Sequence, residues 1–400
     1  MTVSKKAARL LSAFLSLAVM IAAFAGFSVR ASAKSKWDGY TKISSAADLL
    51  KMNKSSDKFY LTNDIDLKSY GDWDEAIRFS GTLDGNGYSI KNLHGTKFGL
   101  FYSLTDATVQ NLGLVNVDIH AEKNSVGALT NGCKNSTIEN CYVTGSIVAE
   151  TGQAGGLVGL DSGTTKGGNT LKNCVNAASV TAKKYSACGI IQSIAGDTLT
   201  NCVNYGKITG TTAASGVCDR VDTEMVSCYN LGEVKATERP KDVGGIAYYV
   251  TGTLKDCATV TDTFTHSMSA SCKATAETNV PKKSFKKADR YAGFDFGETW
   301  TINKKINNGY PVLTIMLGNY NGSRPAVDEP SGTYKKSVSV ELSTTLENGV
   351  IRYTTNGKAP TASSSEYTAP ITVKKNTTIK AAVFVNGIRA KVLTLTYTIE

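Results

Sequence analysis

Thr-Leu-Thr-Asn-Cys at 198–202 is the stretch that decides the fold, because it does not stand alone. It returns as Thr-Ile-Glu-Asn-Cys at 137–141 and Thr-Leu-Lys-Asn-Cys at 170–174. Looser copies are Glu-Met-Val-Ser-Cys at 224–228 and Thr-Leu-Lys-Asp-Cys at 253–257. An earlier one, Thr-Val-Gln-Asn-Leu at 108–112, has Leu112 in the cysteine's place. Measured at the last residue, successive copies lie 29, 33, 28, 26 and 29 residues apart. A period of about 30 residues marks one structural unit stacked on copies of itself.

A second column keeps step: Phe98-Gly99-Leu100, Gly127-Ala128-Leu129, Gly155-Gly156-Leu157, Cys188-Gly189-Ile190, Ser215-Gly216-Val217 and Gly244-Gly245-Ile246. Its middle residue precedes the end of the first phrase by 12 or 13 positions in five of the six coils. The exception carries the inserted Ser162–Gly168, which reads as a loop. A third short β-prone piece follows four of the phrases, as in Gly145-Ser146-Ile147-Val148 and Gly206-Lys207-Ile208-Thr209. Each coil thus holds three short strands separated by Gly, Asn, Ser or Thr, and none has helical periodicity.

This pattern predicts an all-β protein built on a parallel β-helix of about six coils. At about 4.8 Å per coil the stack would be about 30 Å long. Leu, Ile, Val and Cys positions should form apolar ladders inside. Glu139, Lys172, Thr200, Val226 and Lys255 should form one outward column. A leucine-rich horseshoe would need a helix or tighter turn in every repeat, and those segments are missing.

The columns resemble the GLUG-motif family of secreted bacterial β-helix proteins. Leu61–Leu67, Phe79–Ile90 and the closing phrase Asp295-Phe296 … Trp300 … Asn308-Gly309-Tyr310-Pro311-Val312-Leu313 extend the resemblance over about residues 42–316. It implies a β-helix from 34 to 317 with caps at both ends, on a surface or adhesin-like protein. Family likeness of this kind speaks to fold more than to chemistry.

Residues 1–33 read as a secretory signal peptide. Lys5, Lys6 and Arg9 form a basic start, Leu10–Phe27 an apolar stretch, and Ala31-Ser32-Ala33 a small-residue cleavage site. An uncleaved membrane anchor is the alternative reading of the same segment. The first 33 residues also carry Arg30 and no acidic residue, so their removal lowers the formal charge from +10 to +6. That is no nucleic-acid footprint. The expected location is outside a bacterium, secreted or on its surface. One basic cluster, Lys282, Lys283, Lys286, Lys287 and Arg290, reads either as a dock for an anionic wall polymer or as the solvated face of a short helix.

Nine cysteines in an exported chain first suggest disulfides. Cys141, Cys174, Cys202, Cys228 and Cys257, however, share one inward column, where cysteine acts as a small buried hydrophobe. Their side chains would point in parallel from in-register strands, which suits the disulfide dihedral poorly. A linear ladder also does not converge on a metal. The expectation is a structural ladder of free thiols, with some disulfides as the alternative.

After a polar linker at 318–323 the texture changes. Ser337–Leu342, Ile371-Thr372-Val373 and Thr378–Ala381 alternate at period two between turn signals such as Thr355-Asn356-Gly357. Residues 324–400 therefore read as a small β-sandwich. Pro330–Tyr334, Ile351–Gly357, Pro360-Thr361, Tyr367 … Pro370-Ile371 and Thr377–Ala381 resemble the chitobiase/β-hexosaminidase C-terminal type of domain. The resemblance implies an immunoglobulin-like accessory module, a spacer or a glycan contact. Tyr353 and Tyr367 either face a sugar or pack the sandwich core.

Catalysis has no clear home. Acid–base glycoside cleavage needs two carboxylates a few ångströms apart. The best acidic candidates, Asp64, Asp66 and Asp84, read as parts of an opening coil and a tight turn. His94, His120 and His266 are scattered, and no Gly-x-Ser-x-Gly or His-Glu-x-x-His occurs. No catalytic, cofactor-binding or metal-ligating residue is nominated, and no cofactor is expected. The expected function is a non-catalytic, adhesin-like exported protein contacting glycans or a cell-wall polymer. A polysaccharide lyase or glycoside hydrolase acting along the β-helix groove is the alternative, and a structural spacer in a surface assembly is a further one.

Overall fold

In the computed structural model the described residues are 36–161, 168–260, 266–267, 273–274, 277, 279–296, 298–304, 307–317, 325–344, 349–361, 363–385, 388–390 and 392–400. The signal-like segment 1–33, Cys272, the linker 318–323 and most of the inserted loop lie outside them.

The repeat builds a parallel β-helix, as the phrase spacing predicts. Its first sheet stacks ten strands. Thr82, Thr108, Thr137, Thr170, Thr198, Glu224 and Thr253 are aligned across consecutive rungs. The next residue of each rung points inward, giving the column Leu83, Val109, Ile138, Leu171, Leu199, Met225 and Leu254, every one fully buried. Three rungs, Tyr40–Ile43, Lys58–Leu61 and Thr82–Asp84, precede the first copy of the phrase, so the stack starts before the recognisable repeat does. A short helix, Ala46–Leu50, links the first two. Ser45 caps it by accepting from the Asp48 N–H, and Leu49 and Met52 join the core.

A second sheet of eleven strands and a third of eight complete the coil, and the four short strands Ala154–Gly155, Ala187–Cys188, Ala214–Ser215 and Val243–Gly244 line one corner. The corner between first and second sheets is a single residue in the left-handed region. Asn111, Asn140, Asn173, Asn201, Ser227 and Asp256 hold it, with φ between 50° and 54°. Asn and Asp tolerate that conformation better than other side chains with a Cβ. The corner amides also stack. Asn201 donates to Asn173 at 3.2 Å, Asn173 to Asn140 and Asn140 to Asn111 at 3.1 Å, and Asn111 to Asp84 at 3.1 Å.

The cysteines follow that corner immediately, outside the strands and not within them. Cys141, Cys174, Cys202, Cys228 and Cys257 are buried free thiols. Each donates to the carbonyl two residues earlier, at 3.3–3.4 Å. Burial pushes the Cys141, Cys174, Cys202 and Cys228 thiols well above their ordinary value. Cys133, Cys188 and Cys218 are buried and unbridged as well.

A second amide ladder runs inside. Asn176 donates to Asn204 at 2.7 Å, Asn204 to Asn230 at 2.8 Å, and Asn230 to the Thr259 hydroxyl at 3.2 Å. All four residues are fully buried. The glycine column lies against this ladder. A Cβ on Gly189 would sit 2.0 Å from the Gly216 carbonyl and 2.9 Å from the Asn204 side chain. Only glycine allows backbones of neighbouring coils to approach this closely.

The C-terminal segment forms a six-stranded sheet with two two-stranded sheets. Its central strand, Thr377–Val385, pairs antiparallel with Val350–Thr354 and Leu393–Ile399. Alternate residues Val338, Val340, Ile371, Val373, Ile379, Ala381, Leu395 and Tyr397 form its core.

Candidate functional site

The outer face of the second sheet is half covered and half open. Its first outward column, Tyr142, Val175, Val203, Tyr229 and Ala258, is apolar and in register. The closing segment folds back along this flank, burying Phe285, Tyr291, Phe294, Trp300 and Leu313 against the column. Polar pins fix it. Trp300 Nε1 donates to Asn173 Oδ1 at 3.2 Å, Asn201 donates to the Gly293 carbonyl at 3.0 Å, and the Tyr205 hydroxyl donates to the Pro311 carbonyl at 2.6 Å.

Beyond the covered half, the strand Gly113–Ala121 turns Asp118 and His120 outward. Asp118 lies opposite His94 of the preceding rung, and His94 opposite Asp72. His94 Nδ1 is 2.9 Å from Asp72 Oδ1, and Nε2 is 3.7 Å from Asp118 Oδ2. Together with Lys68, Asn92 and Asn116 these residues line an open cleft of about 370 Å³. One step along the strand, His120 Nε2 meets Glu150 Oε1, which Lys183 Nζ also contacts at 2.6 Å. The Lys183 and then the His120 hydrogen bond hold the Glu150 carboxyl below its ordinary value. An imidazole flanked by carboxylates at an open cleft can hold a proton or pass one to a bound molecule.

The acidic residues singled out from the sequence do not gather at this cleft. Asp84 is buried and closes the corner amide ladder, accepting from Asn111, Gln110 and the Asn86 N–H. Asp64 accepts from the Ser89 N–H and pairs with Lys91 at 2.7 Å. Asp66 accepts from the Lys68 N–H and from Asn92. Tyr353 and Tyr367 meet edge to face at 6.4 Å and pack against the C-terminal core, and the Tyr367 hydroxyl accepts from the Leu342 N–H at 3.1 Å. In the basic cluster Arg290 pairs with Glu277 at 2.6 Å and Lys286 lies over the Tyr310 ring, while Lys282, Lys283 and Lys287 remain exposed. Among the described residues, no three His, Cys, Asp or Glu side chains converge as a metal site, and no helix is long and apolar enough to cross a membrane.

Sequence reasoning missed the His94 and His120 clusters. Their members sit 22–33 residues apart and meet only through the rung register. The signal was present in the repeat itself: counting one coil back from Asp118 along the aligned columns arrives at His94.

Two family models match toward the chain's two ends. Residues 329–394 match the family model described as the chitobiase/beta-hexosaminidase C-terminal domain. Residues 26–145 match the model described as the M26 IgA1-specific metallo-endopeptidase N-terminal region. The immunoglobulin A1 protease of Streptococcus sanguinis is 29% identical over 202 residues, 47% of this chain and 11% of that one. The immunoglobulin A1 protease of Streptococcus pneumoniae strain ATCC BAA-255 / R6 is 28% identical over 184 residues, 43% of this chain and 9% of that one. Halomucin of Haloquadratum walsbyi is 38% identical over 95 residues, 22% of this chain and 1% of that one. The chain therefore spans about a tenth or less of the length of these relatives. A Bacteroides ovatus protein, whose crystal structure carries a provisional immunoglobulin A1 protease assignment, superposes with a TM-score of 0.53 at 20% identity. The match covers 68% of this chain and 92% of that one, and it shows a shared fold.

Proposed function

We propose that this chain is an exported, non-catalytic surface protein. In this reading residues 1–33 direct export, the β-helix of 34–317 is a rod, and the sandwich of 324–400 is an accessory module contacting glycans or a cell-wall polymer. One observation carries it: both family matches fall on regions named as terminal parts of enzymes, an N-terminal region and a C-terminal domain. The GLUG resemblance of the coils points the same way. The basic start and apolar stretch of 1–33 support export. Purified protein should bind at least one of peptidoglycan, chitin or a printed glycan. Recovery from culture medium with a new N-terminus near residue 34 would locate the cleavage. Failure to bind any of these polymers would sink the contact role.

A second reading has its own observation. His94 between Asp72 and Asp118 places proton-transfer groups in an open cleft on the rod, as a lyase or hydrolase of polysaccharides would need. Incubation with pectin, alginate and glycosaminoglycans should then release unsaturated or reducing ends, and His94→Ala should abolish the release. Equal release by the variant would remove this reading.

A further inference from the structure

The outer face of the third sheet carries a recess that neither the His94 cleft nor the covered flank uses. One outward column runs Arg78, Ser103, Gly132 and Leu160 on four successive rungs. Gly132 contributes no side chain, so the column drops to backbone between Ser103 and Leu160. The resulting hollow of about 250 Å³ is walled by Tyr102, Ser103, Asn124, Ser125, Asn131 and Leu160. It is smaller than the usual cavity for a drug-sized molecule and suits a single ring-sized unit.

Its lining is of two kinds. The Tyr102 ring and Leu160 offer apolar surface, and Leu160 is 40% exposed, which is unusual among the large apolar side chains of this chain. Asn124, Ser125 and Ser103 offer amide and hydroxyl groups. The Tyr102 and Ser103 hydroxyls have no hydrogen-bond partner among the described residues. Among the described residues, no acidic side chain lines the recess. The Arg78 guanidinium lies over the ring of Tyr102, one of the recess walls, 4.5 Å from its centroid. Among the described residues it has no carboxylate partner, and it is exposed. Cation–π attraction holds a guanidinium over an aromatic face, and its planar fork suits bidentate contact with a carboxylate.

We propose that this recess is a subsite for a carboxylated pyranose, a uronic acid unit of a polysaccharide. The C–H face of the sugar lies on Tyr102 and Leu160, its hydroxyls reach Tyr102, Ser103 and Asn124, and Arg78 takes the carboxylate. Charge complementarity selects an acidic sugar over a neutral one, because among the described residues this guanidinium has no carboxylate partner and the recess beside it has no acidic lining. This proposal deepens the glycan-contact reading and rests on it.

The test is calorimetric titration of the purified protein with oligomers of galacturonate, mannuronate and glucuronate, each beside its carboxyl-reduced counterpart. At least one acidic oligomer should bind, and its reduced form should bind at least about ten-fold more weakly. Arg78→Gln should cause the same loss and lower the salt dependence, and Tyr102→Ala should abolish binding. Arg78 is an exposed residue, so its variant keeps the test valid should Tyr102→Ala not fold. Equal binding of acidic and reduced oligomers, or an Arg78→Gln variant that binds like the parent, overturns the subsite. Binding only to other glycans, unaffected by either substitution, also overturns it while leaving the glycan-contact reading standing. No binding to any glycan removes both.

Discussion

Asn204→Ala tests whether the inner amide ladder holds the coils together. The Asn204 side chain makes four hydrogen bonds and is fully buried. It donates to the Gly206 carbonyl at 3.0 Å and to Asn230 Oδ1 at 2.8 Å, and accepts from the Gly206 N–H at 3.1 Å and from Asn176 at 2.7 Å. Truncation strands the Gly206 N–H and one N–H of Asn176. Asn176 keeps its bond to the Ala178 carbonyl, and Asn230 keeps the one it accepts from the Gly232 N–H. Two orphaned buried donors at about 1–3 kcal/mol each, with the lost packing of the amide, give an expected loss of about 3–6 kcal/mol. Thr259→Val removes the acceptor at the ladder's end, where Asn230 keeps its bond to the Gly232 carbonyl, and should cost about 1 kcal/mol. Urea unfolding followed by circular dichroism and by tryptophan fluorescence measures both. The values hold only if the two probes give coincident transitions, since long repeat arrays can lose cooperativity. A loss below about 1 kcal/mol for Asn204→Ala would mean that water or a neighbour replaces the ladder bonds, and would refute the reasoning.

Four further outcomes are expected. Ser227 breaks the corner ladder and leaves Asn201 Oδ1 buried without a partner, so Ser227→Asn should donate to it, suit the positive φ better and raise stability by about 1–3 kcal/mol; a lower urea midpoint would show that the corner cannot hold the amide. Burial raises the Asp219 carboxyl to about 6 against the bond from Ser215, so the folded state binds more protons than the unfolded one between about pH 4 and 6 and stability falls with rising pH there. Asp219→Asn should thus gain at most about 3 kcal/mol at pH 7 and almost nothing at pH 4, and a gain equal at both pH values would point to packing instead. Gly189→Ala should yield insoluble or unfolded protein, because its Cβ meets the Gly216 carbonyl at 2.0 Å; native circular dichroism with an unchanged midpoint would show that neighbouring coils can spread. The buried cysteines should react with a thiol reagent over hours in native protein, and all nine cysteines within minutes in unreduced denaturant; a count near zero in denaturant would establish disulfides.

The phrase at 198–202 carried the architecture because a stacked coil repeats its corners as well as its core. Leu199 and its equivalents announced the inner column by period alone, and the glycines announced a second one. The asparagine beside each cysteine was equally visible, yet its meaning is conformational. Asn140, Asn173 and Asn201 stand there because one left-handed residue turns the chain between sheets, and no count of apolar positions conveys that. The cysteine draws the eye as a chemical group, and in the structure it is the small apolar filler behind that turn. Asn176, Asn204 and Asn230 stayed hidden for another reason. A polar residue in a strand reads as outward, and only the facing glycine column and the amide on the next rung make an inward one tolerable. The open faces were the least legible. His94 and Asp118, or Arg78 and Ser103, are about 25 residues apart in sequence and one rung apart in space, so their chemistry exists only once register is fixed. Function on such a scaffold has to be read down the columns across coils, and the columns that differ most from rung to rung are where a ligand would find something to recognise.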